Sequence, residues 1–234
     1  MEKEARLHSE ERRKWTENGD LANFDTAIVP LVQAGSLGVT QDEKFTLKFL
    51  DTFSRPQDVL HLASGYFNLT QQHMAAVTRS SATVKILTAS PRANGFFGSR
   101  GVSQFVPDGY TCMERKFLKE ISRKGREDAV SMHEYFRPGW TFHGKGLWYS
   151  EGKDQPPCMT FVGSPNYGQR SSHRDVEAQV MVVTADKDLQ ERLAKERDSL
   201  YQQSSPVTYK DLEKGDRKTP LYLRGAAWVL MPYF

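Results

Sequence analysis

The chain has 234 residues, of which 38% are hydrophobic and 26% charged, with a formal net charge of +3. This is enough apolar material for one large or two small domains, and no apolar stretch is long and uninterrupted enough to cross a bilayer as a helix. The near-neutral balance disfavours a nucleic-acid substrate, which needs a basic face. Cys112 and Cys158 lack a His or Cys at ligand spacing, so they read as thiols of a reducing compartment and not as a metal site.

Residues 2–16 carry charges of both signs and little apolar stripe, predicting a solvated polar helix and no secretory or transit segment. A loop over 17–25 closes a polar N-terminal segment, 1–24, ahead of a domain over 25–234. Thr26 to Val32 is a short apolar run cut by Pro30, which suits an edge segment, and Gly35 to Gly38 form a turn. Thr40, with Glu43 three residues on, predicts a capped helix to Phe53. Its Phe45, Phe49 and Phe53 share one face. Val59–Tyr66 reads as a buried strand, Gln71–Thr78 as a helix opened by Asn68-Leu69-Thr70, and Val84–Thr88 as a second strand. This order predicts parallel strands in an α/β sandwich. His61 reads as a sheet histidine and His73 as a surface one.

Residues 89–110 form a long loop carrying Phe96-Phe97, Arg92 and Arg100. Two readings stand side by side: a mobile aromatic loop that meets lipid, and an Ω-like loop whose phenylalanines plug the core. Thr111–Lys124 follows as an amphipathic helix with Cys112, Phe117, Leu118 and Ile121 inward and Gly125 as the residue after its cap. Ala129–Tyr135 is a strand, and Arg137-Pro138-Gly139 turns the chain into a strand over Trp140–Tyr149. A polar loop leads to a strand over Cys158–Gly163. An alternating strand over Asp175–Thr184 and a charged helix over Lys187–Gln203 come next. Ser204–Lys218 reads as loop, and Leu221–Phe234 as an apolar tail packed on the domain. No internal repeat is visible.

The chemistry concentrates between Trp140 and Glu177. His143 and Lys145 are two residues apart in an apolar run, so a strand puts them on one face, with Phe142, Gly144 and Gly146 on the other. Ser164 and Asn166 repeat that spacing at the end of the next strand. An imidazole, an ammonium, a hydroxyl and a carboxamide aimed at one spot suit a phosphoryl group. Each triplet is a weak signal alone; in this order, each closing an apolar strand and followed by Arg170 and Glu177, they are much stronger. His173, in Arg-Ser-Ser-His-Arg, reads as a turn after the site.

The order H-x-K, G-S-x-N, R-S and then Glu resembles the half-motif of the phospholipase D superfamily. The wider stretches G-Y-F-N-L-T at 65–70, A-S-P-x-x-N-G-F-F-G at 89–98, G-W-T-F-H-x-K-G-L-W at 139–148 and G-S-P-N-Y-G-Q-R-S at 163–171 resemble the eukaryotic mitochondrial CDP-diacylglycerol–glycerol-3-phosphate 3-phosphatidyltransferases over roughly residues 25–234. The resemblance implies an α/β fold, a phospholipase D-like mixed sheet sandwiched by helices, as one half of a two-domain arrangement in which each half gives one histidine to a shared site. It implies phosphatidyl transfer from CDP-diacylglycerol to glycerol 3-phosphate through a phosphohistidine, in phosphatidylglycerol and cardiolipin synthesis. It further implies no metal or cofactor, a mitochondrial location and a peripheral membrane surface.

In that scheme His143, Lys145, Asn166 and Glu177 are catalytic, with His143 as acid/base, and Ser164 and Arg170 bind substrate. Glu177 accepts from the histidine ring of either half, and Arg170 and Arg174 contact phosphate or brace Glu177 and Asp175. Two departures stand out. The superfamily aspartate falls at position 150, which is Ser150, and no other histidine is followed two residues on by lysine. The site therefore needs a missing N-terminal half or a second copy. A homodimeric single-motif phosphodiesterase and a non-catalytic lipid- or partner-binding module are the alternatives.

Overall fold

The computed structural model describes residues 24–214 and Arg217. The polar helix expected over 2–16, most of the segment 1–24 and the tail from Leu221 to Phe234 lie outside the described residues. A nine-stranded sheet runs through the molecule in the order β2-β1-β8-β7-β6-β3-β4-β5-β9. Its strands are β1 (Thr26–Ala34), β2 (Val39–Thr40), β3 (Val59–Ser64), β4 (Thr83–Ala89), β5 (Val130–Tyr135), β6 (Lys145–Ser150), β7 (Met159–Gly163), β8 (Val176–Thr184) and β9 (Ser204–Val207). The helices are α1 (Gln41–Thr52), α2 (Gln71–Arg79), α3 (Val106–Arg123), α4 (Gln169–His173) and α5 (Lys187–Tyr201).

The sheet is mixed because the chain changes its type of connection. α2 and α3 cross between β3, β4 and β5, which are parallel, as crossover helices require. The remaining pairs are antiparallel. α1, α2 and α3 cover one face. Phe49, Leu50, Val77, Phe117 and Ile121 pack there against Leu31, Leu62, Ile86, Leu147 and Phe161. Phe49 sets its ring edge-on to Phe161 at 4.8 Å, so the aromatic stripe of α1 is core, as its spacing predicts.

Among the described residues the other face is covered only in part. Leu193, Leu200 and Tyr201 of α5 pack on Ala63, Leu87, Tyr135 and Trp148. Beyond α5, the β7–β8–β1 third of that face presents aliphatic side chains to solvent. Val162 is 52% exposed, Ile28 66% and Val176 73%.

Several local expectations are corrected. Thr40 sits at the start of α1 but makes no capping hydrogen bond; the Glu43 backbone N–H donates instead to Gln33 Oε1 at 3.2 Å, since β1 runs alongside the helix start. Pro30 does not cut β1, which pairs with β8 along its whole length while β2 reaches only Gln33 and Ala34; the missing N–H falls on an open edge. The helix after the long loop starts at Val106, not Thr111, with Pro107 in its first turn, where a missing N–H costs nothing. Within the loop, Phe97 is 59% exposed and Phe96 36%, so they do not plug the core. The strand expected over 140–149 starts only at Lys145. Residues 204–207 form an edge strand on β5, not a loop.

His61 is a buried sheet histidine, as expected, with its pKa held down to about 3 chiefly by burial. His73 is not on the surface. It is buried at 2% exposure, because the Thr70 cap folds it inward. Thr70 Oγ1 accepts from the His73 backbone N–H at 3.2 Å and lies 2.7 Å from His73 Nδ1. Burial holds its pKa down to about 4.

Truncating Phe161 to Ala removes a ring from this packed centre and is expected to cost about 3–5 kcal/mol in urea unfolding, whereas Val176→Thr on the bare face stays within about 0.5 kcal/mol. Buried neutral His61 and His73 take up protons only on unfolding. The stability these two histidines contribute is therefore full above about pH 6.5 and is lost as pH drops from there toward 4. His73→Asn is expected to make that fall shallower.

Candidate active site

The site forms where strand ends converge. β3 ends in Ser64 and leads into Gly65-Tyr66; β6 starts at Lys145 just after His143; β7 ends at Gly163 and continues through Ser164 and Asn166; β8 brings Glu177. These residues line a cavity of about 300 Å³ together with Asn68, Tyr110, Arg170, Ser171 and Asp175. All six residues singled out in the sequence, His143, Lys145, Ser164, Asn166, Arg170 and Glu177, line this one cavity.

Two close backbone approaches let the strands meet. The Gly65 N–H donates to Gly144 O at 2.8 Å, and a Cβ on Gly65 would stand 2.8 Å from His143 Cα. A Cβ on Gly163 would lie 2.1 Å from Gln179 Cβ. Glycine is required at both places for steric room.

Lys145 Nζ lies 2.7 Å from His143 Nε2. An ammonium only donates, so Nε2 accepts and the neutral imidazole carries its proton on Nδ1. Burial and the Lys145 charge both push the His143 pKa below its ordinary value. Burial also lowers the Lys145 pKa, and the Glu177 carboxylate opposes that shift. The resting pair is thus a neutral histidine and a partly desolvated ammonium, able to exchange the imidazole for an incoming anion.

Glu177 is buried at 7% exposure and acts on Lys145 by charge. The hydrogen bond of the His143 ring within this chain goes to Lys145. Arg170 pairs with Asp175 at 2.9 Å, one of the two carboxylates it was expected to brace. Ser164 Oγ accepts from the Ala178 N–H at 3.2 Å, which ties the β7 exit to β8. Asn166 is fixed through its backbone: its N–H donates to Ser171 Oγ at 3.1 Å, and its carbonyl accepts from Ser64 Oγ at 3.0 Å. The Asn166 Oδ1 is buried and has no hydrogen-bond partner among the described residues. The adjoining Tyr167 has a φ of 58°, a left-handed conformation that costs free energy for a non-glycine residue. It is buried, and its hydroxyl donates to Gln179 Oε1 at 3.4 Å.

Position 150 explains itself. Ser150 closes the far end of β6 opposite Val59 and is buried, a full strand away from Lys145, so serine there removes no group from the cavity. His173, at the end of α4, is exposed and outside the cavity lining, as its context predicts. Tyr66, Asn68 and Tyr110 were not singled out. Tyr66 and Asn68 lie in the 65–70 stretch that carries the resemblance, whereas Tyr110 sits at the end of a loop with no period to mark it. Among the described residues no group of His, Cys, Asp and Glu is arranged to hold a metal ion.

No protein-family model matches the chain. Over 90% of its length it is 41% identical to a Mus musculus protein named CDP-diacylglycerol–glycerol-3-phosphate 3-phosphatidyltransferase, mitochondrial. Over 82% of its length it is 30% identical to the Saccharomyces cerevisiae protein named CDP-diacylglycerol–glycerol-3-phosphate 3-phosphatidyltransferase. The chain spans 38% of the mouse protein and 40% of the yeast one. Among solved structures, phosphatidylserine synthase of Haemophilus influenzae Rd KW20 superposes with a TM-score of 0.73 at 16% identity, over 89% of this chain and 48% of that one. These likenesses bear out the resemblance expected from the motifs, and the fold is phospholipase D-like.

Replacing Lys145 with Met removes a charge that opposes protonation of His143. The His143 pKa, followed by the imidazole C–H resonances in an NMR titration, is expected to rise toward 6.5 from below.

Proposed function

We propose that this chain supplies half of an active site that moves a phosphatidyl group from CDP-diacylglycerol to glycerol 3-phosphate, giving phosphatidylglycerophosphate and CMP. The observation that carries this reading is the convergence of His143, Lys145, Ser164, Asn166, Arg170 and Glu177 on one cavity, in a chain similar along most of its length to proteins named for that reaction.

The chemistry follows from the groups. A nucleophilic histidine of the second half attacks the phosphatidyl phosphorus, and the bond to the CMP oxygen breaks. A phosphatidyl-histidine forms, and the departing CMP oxygen takes a proton from His143. The glycerol 3-phosphate hydroxyl then attacks phosphorus, gives its proton to His143, and the P–N bond breaks to release the product. His143 rests neutral, so it is ready as a base. Donor phosphates entering the cavity favour the imidazolium and draw the Lys145 ammonium onto their own oxygens, which frees Nε2. Lys145, Arg170, Ser164 and Asn166 supply donors for the non-bridging oxygens, where transition-state charge spreads.

The second half sits, in this reading, on the bare aliphatic β7–β8–β1 face. Ile28, Val32, Val162 and Val176 are exposed there on alternating positions, and an uncovered sheet face of this kind calls for a partner. Ser164 and Val176 carry it to the cavity rim. A second phospholipase D-like half, whether from the same longer protein or a second copy, meets both needs. Membrane contact through Phe96, Phe97 and Trp140, all exposed, suits a diacyl donor, and no described helix is long and apolar enough to cross a membrane. A mitochondrial location is proposed from the mouse relative's name.

His143→Ala, assayed in the assembled protein, is expected to lower CMP release from CDP-diacylglycerol by roughly 10²–10⁴-fold, the worth of a general acid–base. Unchanged release would place the chemistry elsewhere.

A further inference from the structure

His143 lies outside the sheet ladder. β6 begins two residues later, at Lys145, and His143 itself is exposed. Backbone pairing therefore does not fix its imidazole, and the Lys145 hydrogen bond fixes only one atom. One ring supplies the rest. Tyr66 packs against the His143 imidazole at a centroid distance of 4.5 Å, tilted by 47°. Tyr66 is in turn held from the other directions. Tyr110 stacks on it at 5.3 Å with 8° between the planes, and Phe96 packs on it at 5.8 Å. Its backbone neighbour Gly65 donates to Gly144 O, so ring and imidazole are carried by segments bonded to each other. Lys145 Nζ lies 6.0 Å from the centroid of the same ring, at the outer reach of a cation–π contact.

We propose that Tyr66 is a positioning residue, its ring fixing the plane and reach of the His143 imidazole while Tyr110 and Phe96 fix the ring. The part it plays in phosphatidyl transfer rests on the function proposed above. The geometric claim concerns His143 alone. The contact is ring against ring, so the ring matters and the hydroxyl does not. The ring covers one side of the imidazole, and the rest of His143 is open to solvent. The other titratable and charged groups lining the same cavity are Lys145, Arg170, Asp175, Glu177 and Tyr110, and replacing Tyr66 leaves all of them in place.

The test is an NMR titration of His143 in the full chain, with His143→Gln used to assign its imidazole resonances, in Tyr66→Phe, Tyr66→Leu and Tyr66→Met. Tyr66→Phe is expected to keep both the wild-type titration midpoint and the ring-current shift of the His143 C–H resonances. Tyr66→Leu is expected to lose that shift and to titrate at higher pH, nearer 6.5. Tyr66→Met gives the same comparison if the leucine variant does not fold. In the assembled protein, kcat is expected to fall by about tenfold to hundredfold in Tyr66→Leu with KM within about twofold, as a misplaced group predicts, and to stay near wild type in Tyr66→Phe. His143 resonances and midpoint unchanged in Tyr66→Leu or Tyr66→Met would overturn the proposal, as would a Phe variant that shifts as far as the aliphatic ones. The NMR readout does not depend on which reaction the site performs. A His143 shift in a protein that never releases CMP would thus overturn the assigned reaction while supporting the positioning.

Discussion

The 2.7 Å contact between Lys145 Nζ and His143 Nε2 is the interaction on which the site depends. It sets the tautomer, since the ammonium leaves only Nδ1 to carry the proton. It holds the histidine neutral at rest, because burial and the lysine charge both disfavour the imidazolium. It also keeps a cation where, in the proposed function, a phosphate binds. The surrounding segments hold His143, which the sheet ladder does not reach, against Lys145, the first residue of β6. Gly65 admits the His143 segment, Gly163 admits Gln179 against the neighbouring strand, and Glu177 offsets the cost of burying the lysine.

This explains why the sequence made the site legible. The two-residue spacing brings His143 and Lys145 together although the ladder starts only at Lys145. Ser164 and Asn166 line the same cavity, but there the chain has already left β7 and bends at Ser164, so the strand period is not what places them. The parallel β3–α2–β4 unit could be read from its alternation of apolar runs and a helix. The errors came where tertiary neighbours took over a local role. Gln33 of β1 satisfies the Glu43 amide, so the Thr40 cap is not used. Thr70 turns His73 into the core, where helical position alone suggested the surface. Ser204–Val207 becomes a strand only because β5 offers it an edge. Tyr110 could not be found from sequence, because its place in the cavity depends on where α3 begins relative to a loop without periodicity.

The two faces of the sheet differ in their cover. Three helices bury one face, but among the described residues only α5 packs on the other, leaving its β7–β8–β1 third exposed. The cavity likewise holds one H-x-K pair where two-step transfer at phosphorus uses a nucleophile and an acid/base. In the proposed reading a single partner, a second half of the same kind, covers the exposed aliphatic face and completes the site at its rim.

The most direct measurement is CMP release from CDP-diacylglycerol with glycerol 3-phosphate present, taken alongside the sedimentation behaviour of the chain over a range of concentrations. A half-site predicts no release by a monomer, and release that appears only with a second copy or with an added half bearing the other H-x-K pair. Full release by a chain that sediments as a monomer, at a rate per chain independent of concentration, would contradict it.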